Sequence, residues 1–211
     1  MKTTSSAKDN ILKKIKQALA KPVPVPFEGL PTNQNIFQPN DDLAIQFAEK
    51  FSGLQGRFSF CENEKEAVQQ LKTLFAARQW TKIFLNESRL RKIFEHQDNP
   101  IATWENLADC DVSITSCEYL VARTGSIVLS SIQNGRTPGV YAPAHICIAY
   151  TNQLVFDIKD GLHLLKKKYP SGFPSLISFA SGPSRTADIE KTLVTGIHGP
   201  KEVFCFLIYA E

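Results

Sequence analysis

The sequence predicts an α/β fold in which a mostly parallel sheet is flanked by helices. Three observations carry that expectation. Short apolar runs rich in β-branched and aromatic residues alternate with stretches whose apolar residues recur at helical spacing. Such alternation builds parallel sheets, because a parallel partner strand is reached through a crossover, usually a helix. The run at 203–209 is unbroken and that at 176–180 is interrupted by Ser178 alone, and both read as strands covered on both faces. Between residues 114 and 156 strand and turn signals are denser, so some antiparallel pairing is expected there.

The 211 residues fit one domain with a sizeable core, and a hydrophobic share of 43% is ordinary for a globular protein. A net charge of +3 is too small to point to nucleic acid or to a membrane surface. The clusters Lys13-Lys14-Lys16 and Lys166-Lys167-Lys168 accompany apolar helical patterns and read as solvated helix faces. Residues 1–20 lack a continuous apolar signal region, and no run approaches the roughly 18 apolar residues of a membrane span. A cytoplasmic location is therefore expected. The cysteines are Cys61, Cys110, Cys117, Cys147 and Cys205. Their odd number and the lack of any C-x-x-C pair argue against a disulfide framework and against a self-contained zinc or iron–sulfur site.

In chain order, Ile11, Leu12, Ile15, Ala18 and Leu19 share one helical face over residues 7–20, with lysines opposite. Lys21-Pro22-Val23-Pro24-Val25-Pro26 cannot continue that helix and favours an extended polyproline conformation. Residues 1–31 thus read as an N-terminal helix and Pro-rich arm, and residues 32–211 as a single α/β domain. The arm either docks on a partner or folds back onto its own core. Asp41 or Asp42 caps a helix running to about Phe51, ended by Gly53 and Gly56. A strand follows at 57–61. Asn63, with Glu66 three residues on, opens a helix to about Gln79 in the manner of a capping box. A strand at 82–85 and a helix at 87–96 come next, with His96 read as a surface histidine. Strands are expected at 111–115, 127–130 and 146–150. Residues 134–139 (Asn-Gly-Arg-Thr-Pro-Gly) form a loop on every turn signal and a candidate mobile flap. Asn152 turns the chain into a strand at 154–156, and a helix at 162–168 stops at Pro170 and Gly172.

The candidate chemistry centres on residues 181–200, SGPSRTADIEKTLVTGIHGP, whose polar density between two apolar strands exceeds what folding needs. Ligands of open α/β sheets collect at the carboxyl ends of strands. Gly182, Ser184, Arg185 and Thr186 can offer an anion free backbone N–H groups, two hydroxyls and a guanidinium fork, with Asp188 close by. The same residues also allow a plain turn in which Arg185 pairs with Asp188 or Glu190. His198 either aims back at the Gly182 loop or makes a tight turn. Thr124, Gly125 and Ser126 form a second candidate, since Gly125 lets a ligand or another backbone come close. Glu118 reads either as an acid–base group or as a solvated or capping carboxylate. His145 reads either as a proton-transfer group at a strand mouth or as a core histidine. No G-x-G-x-x-G follows the first strand and no P-loop occurs, so neither nucleotide-binding fingerprint is present.

SGPSRTADIE followed closely by GIHGP resembles the C-terminal signature of the lactate utilization protein C family, whose members carry the LUD domain. The resemblance runs from about Ile11 to the C-terminus and is strongest after Glu118. It implies a NagB/RpiA/CoA-transferase-like fold. It places Glu118 in the acidic position before Thr-Gly and His145 before its strand. It also implies an iron–sulfur-dependent oxidation of L-lactate to pyruvate. With no cluster ligands here, the clusters are expected on partner subunits, and this chain becomes a non-cluster subunit with a binding or assembly role. Arg185 would then hold a small carboxylate or phosphate ligand bidentately, and Glu118, His145 and His198 are the candidate bases. Two alternatives stand beside this: a stand-alone enzyme on a sugar phosphate or an acyl-CoA, and a module sensing a small carboxylate.

Overall fold

In this computed structural model the described residues are 7–20, 37–39, 42–95, 101–189 and 192–210, less the side chains of residues 7, 187–189, 192 and 193. The Pro-rich run 21–26, His96 and Glu190 lie outside them. The chain divides into two units, Met1–Gln38 and Pro39–Glu211. The first holds helix α1 (Ala7–Leu19), with Asp9 in its first turn and Lys16 in its last, both favourable to the helix dipole.

The second unit opens with α2 (Leu43–Gly53), capped by Asp42, whose carboxylate accepts from the N–H groups of Ala44 and Ile45. Strand β1 (Arg57–Cys61) leads to α3 (Glu64–Arg78). Asn63 accepts there from the Glu66 N–H, while Glu66 reaches back to the Glu62 N–H. Gln79, at φ 56°, closes the helix in the left-handed conformation. Then come β2 (Ile83–Leu85), α4 (Ser88–Glu95), β3 (Val112–Thr115), β4 (Tyr119–Val121) and β5 (Ser126–Ser130). A single turn, α5 (Pro138–Tyr141), precedes β6 (Ala144–Tyr150), β7 (Leu154–Val155) and α6 (Ile158–Lys168). The remaining strands are β8 (Ile177–Ala180), β9 (Arg185–Ile189), β10 (Thr192–Thr195) and β11 (Glu202–Ile208).

Five strands make an all-parallel sheet in the order β1-β11-β6-β3-β2. The side chains of β6 and β11 alternate between two cores. Ile146, Ile148, Phe204, Phe206 and Ile208 meet Leu71 and Phe75 of α3 and Leu90 and Phe94 of α4. On the other face, Cys147, Ala149, Val203, Cys205 and Leu207 meet Phe47 and Phe51 of α2 together with Leu120, Ile127 and Leu129. Those last three belong to a second sheet, ordered β7-β4-β5-β8. Its β4–β5 and β5–β8 pairs are antiparallel, as the density of turn signals after residue 114 leads one to expect. Its outer side packs Val121 and Val128 on Leu165 of α6. Each large apolar side chain so buried contributes roughly 1.5–3 kcal/mol before conformational entropy is counted.

Two expectations change. The run at 176–180 is not a central buried strand: β8 is the edge of the smaller sheet, and Phe179 is 38% exposed. An apolar run alone does not say whether a strand has neighbours on both sides. Within 181–200, strands β9 and β10 pair antiparallel, where a ligand loop or a plain turn was expected. Among the described residues no helix is long and apolar enough to cross a membrane.

Candidate functional site

The chain beyond the carboxyl ends of β2, β3 and β6 contributes to the walls of a cleft of about 670 Å³. Asn86 and Glu87 follow β2, Ser116 follows β3, and Gln153 follows β6. The loop after β5 supplies Gln133, Asn134, Arg136 and Thr137, α4 supplies Arg89, and the end of α6 supplies Lys168. This is where open parallel sheets place ligands, because strand ends and their loops converge there without backbone pairing.

The wall is held by an ordered polar network. Glu87 accepts from the Ser116 N–H at 3.0 Å, from the Ser116 hydroxyl, and from the Asn134 amide at 2.9 Å. Asn134 is buried, and its Oδ1 accepts from the Ser130 N–H at 3.0 Å. The loop at 134–139, read from sequence as a flap, is therefore anchored at its first residue. Gln133 donates to the Ser116 hydroxyl at 2.7 Å and to the Cys117 carbonyl at 2.9 Å.

Behind this wall lies Glu118, whose side chain has no exposed surface. Its carboxylate accepts from the Ser130 hydroxyl, from the Tyr169 hydroxyl at 2.7 Å and from the Lys168 ammonium at 2.6 Å. Lys168 also donates to Gln133 at 2.9 Å and stays 44% exposed toward the cleft. Burial pulls its pKa down, but the hydrogen bond and charge of Glu118 outweigh that and raise it. Burial and the same carboxylate push the Tyr169 hydroxyl up. The lysine cluster at 166–168 is thus only partly a solvated face: Lys166 and Lys167 are exposed, while Lys168 is a fixed cation beside a buried acid.

His145 is fully buried on β6. Its Nε2 lies 2.8 Å from the Thr115 hydroxyl, and its Nδ1 has no partner among the described residues. Burial lowers its pKa to about 4, so the ring is neutral at pH 7. The backbone of α5 closes over it: a Cβ at Gly139 would sit 3.6 Å from the ring.

The other sequence candidates gather elsewhere. The hydroxyls of Thr124 and Ser126 lie 2.8 Å apart, and Ser126 meets Ser181 at 2.7 Å. Gly125, at φ +59°, lies where a Cβ would come within 2.6 Å of the Phe51 nitrogen, so its close approach is to the backbone of α2. Gly182, at φ +85°, approaches the Leu54 carbonyl in the same way. Ser184 donates its N–H to the Pro200 carbonyl and accepts from the Gly196 N–H, both at 2.9 Å, which joins the two Gly-Pro segments at the hairpin base. Arg185 is exposed on β9 opposite Thr195, Thr186 stands opposite Val194, Asp188 lies on β9, and His198 is exposed in the turn after β10. Glu118 and Ser126 flank opposite ends of the β4–β5 ladder. None of these candidates lines the cleft directly, and Glu118 reaches it through Lys168. Lys168, Arg136, Arg89 and Glu87 were not singled out from sequence. The carboxyl-end rule, applied to β2 and β3, points to Glu87 and Ser116.

The donor set does not fit an iron–sulfur cluster. Such clusters take cysteine thiolates, yet all five cysteines are buried. Burial pushes the thiols of Cys117 and Cys147 up, and that of Cys61 to about 11. No group of three or more His, Cys, Asp or Glu among the described residues is arranged to hold a metal ion.

The family model of the LUD domain matches residues 45–208. A protein named Lactate utilization protein C from Halalkalibacterium halodurans is 36% identical over 51% of this chain and 47% of its own length. Its namesake from Bacillus subtilis is 29% identical over 58% and 56%, and an uncharacterized protein of Neisseria meningitidis is 31% identical over 54% and 50%. The matches thus span about half the length of these relatives. A crystal structure of a DUF162 family protein from Deinococcus radiodurans superposes with a TM-score of 0.60 over 79% of this chain and 96% of the other, at 14% identity, which speaks for the fold alone. By the extent of the family match, this chain belongs to the LUD domain family.

Proposed function

We propose that this chain serves L-lactate utilization as a cluster-free subunit whose cleft binds the carboxylate of a 2-hydroxy acid. The observation that carries the reading is the Lys168 ammonium, fixed at the cleft wall by the buried Glu118. A cation held in place by a buried acid loses little freedom when an anion arrives, which favours binding. The names of the relatives supply the substrate class. Oxidation of the hydroxyl carbon needs an electron acceptor; in this reading the acceptor is an iron–sulfur cluster on a partner subunit, and the buried cysteines of this chain support that division of labour.

The test is an anaerobic pull-down of the tagged protein from its host, with iron assay and lactate-dependent dye reduction, beside calorimetry of L-lactate on the isolated chain. Co-purifying iron–sulfur subunits, dye reduction, and lactate binding that weakens at least tenfold in Lys168→Gln support the reading. A chain that emerges alone and iron-free and does not bind L-lactate overturns it.

A further inference from the structure

We infer that the same cleft also takes a phosphorylated ligand of nucleotide size, seated on Arg89 and Arg136. The inference rests on the cleft being the ligand site and extends it to a second ligand class. A three-carbon hydroxy acid has six heavy atoms and fills roughly 100 Å³, judged against about 30 Å³ for one water. The cleft measures about 670 Å³, within the range of sites built for much larger ligands. Its lining carries three cations, Arg89, Arg136 and Lys168, against one carboxylate, Glu87. Glu87 is occupied by Ser116 and Asn134, and Lys168 is matched by Glu118.

The two arginines are oriented without being neutralised. Arg136 donates to the Ser175 hydroxyl at 2.9 Å, and the Arg89 guanidinium lies 5.2 Å from the Tyr150 ring centre. Neither forms an ion pair with a carboxylate among the described residues. A monocarboxylate engages one cation. A phosphate group carries up to two negative charges and three acceptor oxygens, and guanidinium forks bind it bidentately. The hydroxyls and amides of Asn86, Ser88, Ser131 and Thr137 on the same lining suit a hydroxylated ligand body. Side-chain cations here take the place of the glycine-rich backbone cradle of nucleotide-binding fingerprints.

The experiment is calorimetry on the full chain with ADP, ribose 5-phosphate, inorganic phosphate and L-lactate as separate probes. Arg89→Met, Arg136→Met and the double variant follow, each checked by thermal melting. The expected result is ADP binding at least tenfold tighter than inorganic phosphate or ribose 5-phosphate. Each arginine variant should weaken ADP about tenfold, the loss of one charge-assisted pair. ADP no tighter than inorganic phosphate, or ADP affinity unchanged in the double variant, overturns the inference. Ribose 5-phosphate matching ADP overturns the nucleotide size. Arginine-dependent ADP binding by a chain that ignores L-lactate supports the inference and overturns the carboxylate reading instead.

Discussion

The ammonium of Lys168 meets the carboxylate of Glu118 at 2.6 Å, with the acid fully buried and the lysine 44% exposed. The pair is therefore asymmetric. Without Lys168, a buried carboxylate keeps, among the described residues, the two hydroxyls of Ser130 and Tyr169. Without the charge on Glu118, the lysine can turn to water. Lys168→Met is expected to cost roughly 1–3 kcal/mol, below the usual figure for a broken buried pair because water reaches the lysine. Glu118→Gln should cost less, and Glu118→Gln with Lys168→Met should be more stable than Lys168→Met alone. Urea denaturation of the three variants reads this, and strictly additive costs would show that the two residues are not coupled.

His145 gives a pH dependence of known sign. Burial lowers its folded pKa to about 4, against about 6.5 in the unfolded chain. Between those values the unfolded state takes up a proton that the folded state refuses. The stability associated with the neutral ring is complete above about pH 6.5 and is lost as pH falls toward 4, by about 3 kcal/mol in all. His145→Gln removes this titration, so the difference between wild type and variant should change across pH 4–6.5 and stay constant from 6.5 to 8. A difference that is flat over the lower range would show that His145 does not titrate on unfolding.

The parallel sheet and its helices were legible because each signal was local and strong. Asp42 and Asn63 cap the helices they were expected to cap, and the expected strand at 57–61 is β1. The cleft was less legible for a physical reason. Its cations come from α4, a loop after β5 and the end of α6, and nothing in their spacing says that they converge. Lys168 looked like one of three solvated lysines because its partner, Glu118, lies 50 residues away in sequence. The polar density at 181–200 allows a ligand loop or a plain turn, and the paired strands there use several of its groups: Ser184 and Gly196 bond across their base, and Gly182 approaches the Leu54 carbonyl just past α2.

Gly125 separates close packing from ligand approach. A Cβ there would come within 2.6 Å of the Phe51 nitrogen and 2.7 Å of the Lys50 carbonyl carbon, at a φ of +59°. Backbone cannot give way as a flexible side chain can, and the left-handed conformation adds strain for any residue but glycine. Gly125→Ala is expected to lower stability by roughly 2 kcal/mol or more, with an unchanged denaturant slope. Ligand binding at the cleft should survive in protein that remains folded. Full stability with lost binding would instead make Gly125 a ligand contact.

The cysteines offer a probe of the core. Cys61, Cys117, Cys147 and Cys205 have no exposed surface, and Cys110 has 5%. Cys147 and Cys205 are cross-strand neighbours on β6 and β11, and both belong to the core shared with α2 and the second sheet. Only a thiolate reacts quickly with disulfide or alkylating reagents. Here burial excludes the reagent and also raises the thiols of Cys61, Cys110, Cys117 and Cys147. In native buffer at pH 8, modification by a disulfide reagent should therefore wait on opening of the fold, with all five cysteines reacting at once only in guanidinium. Cys117, Cys147 and Cys205 should react last, with rates that rise with denaturant in step with global unfolding. Rapid stoichiometric labelling of any of these three in the native protein would show that the core between the two sheets opens on its own.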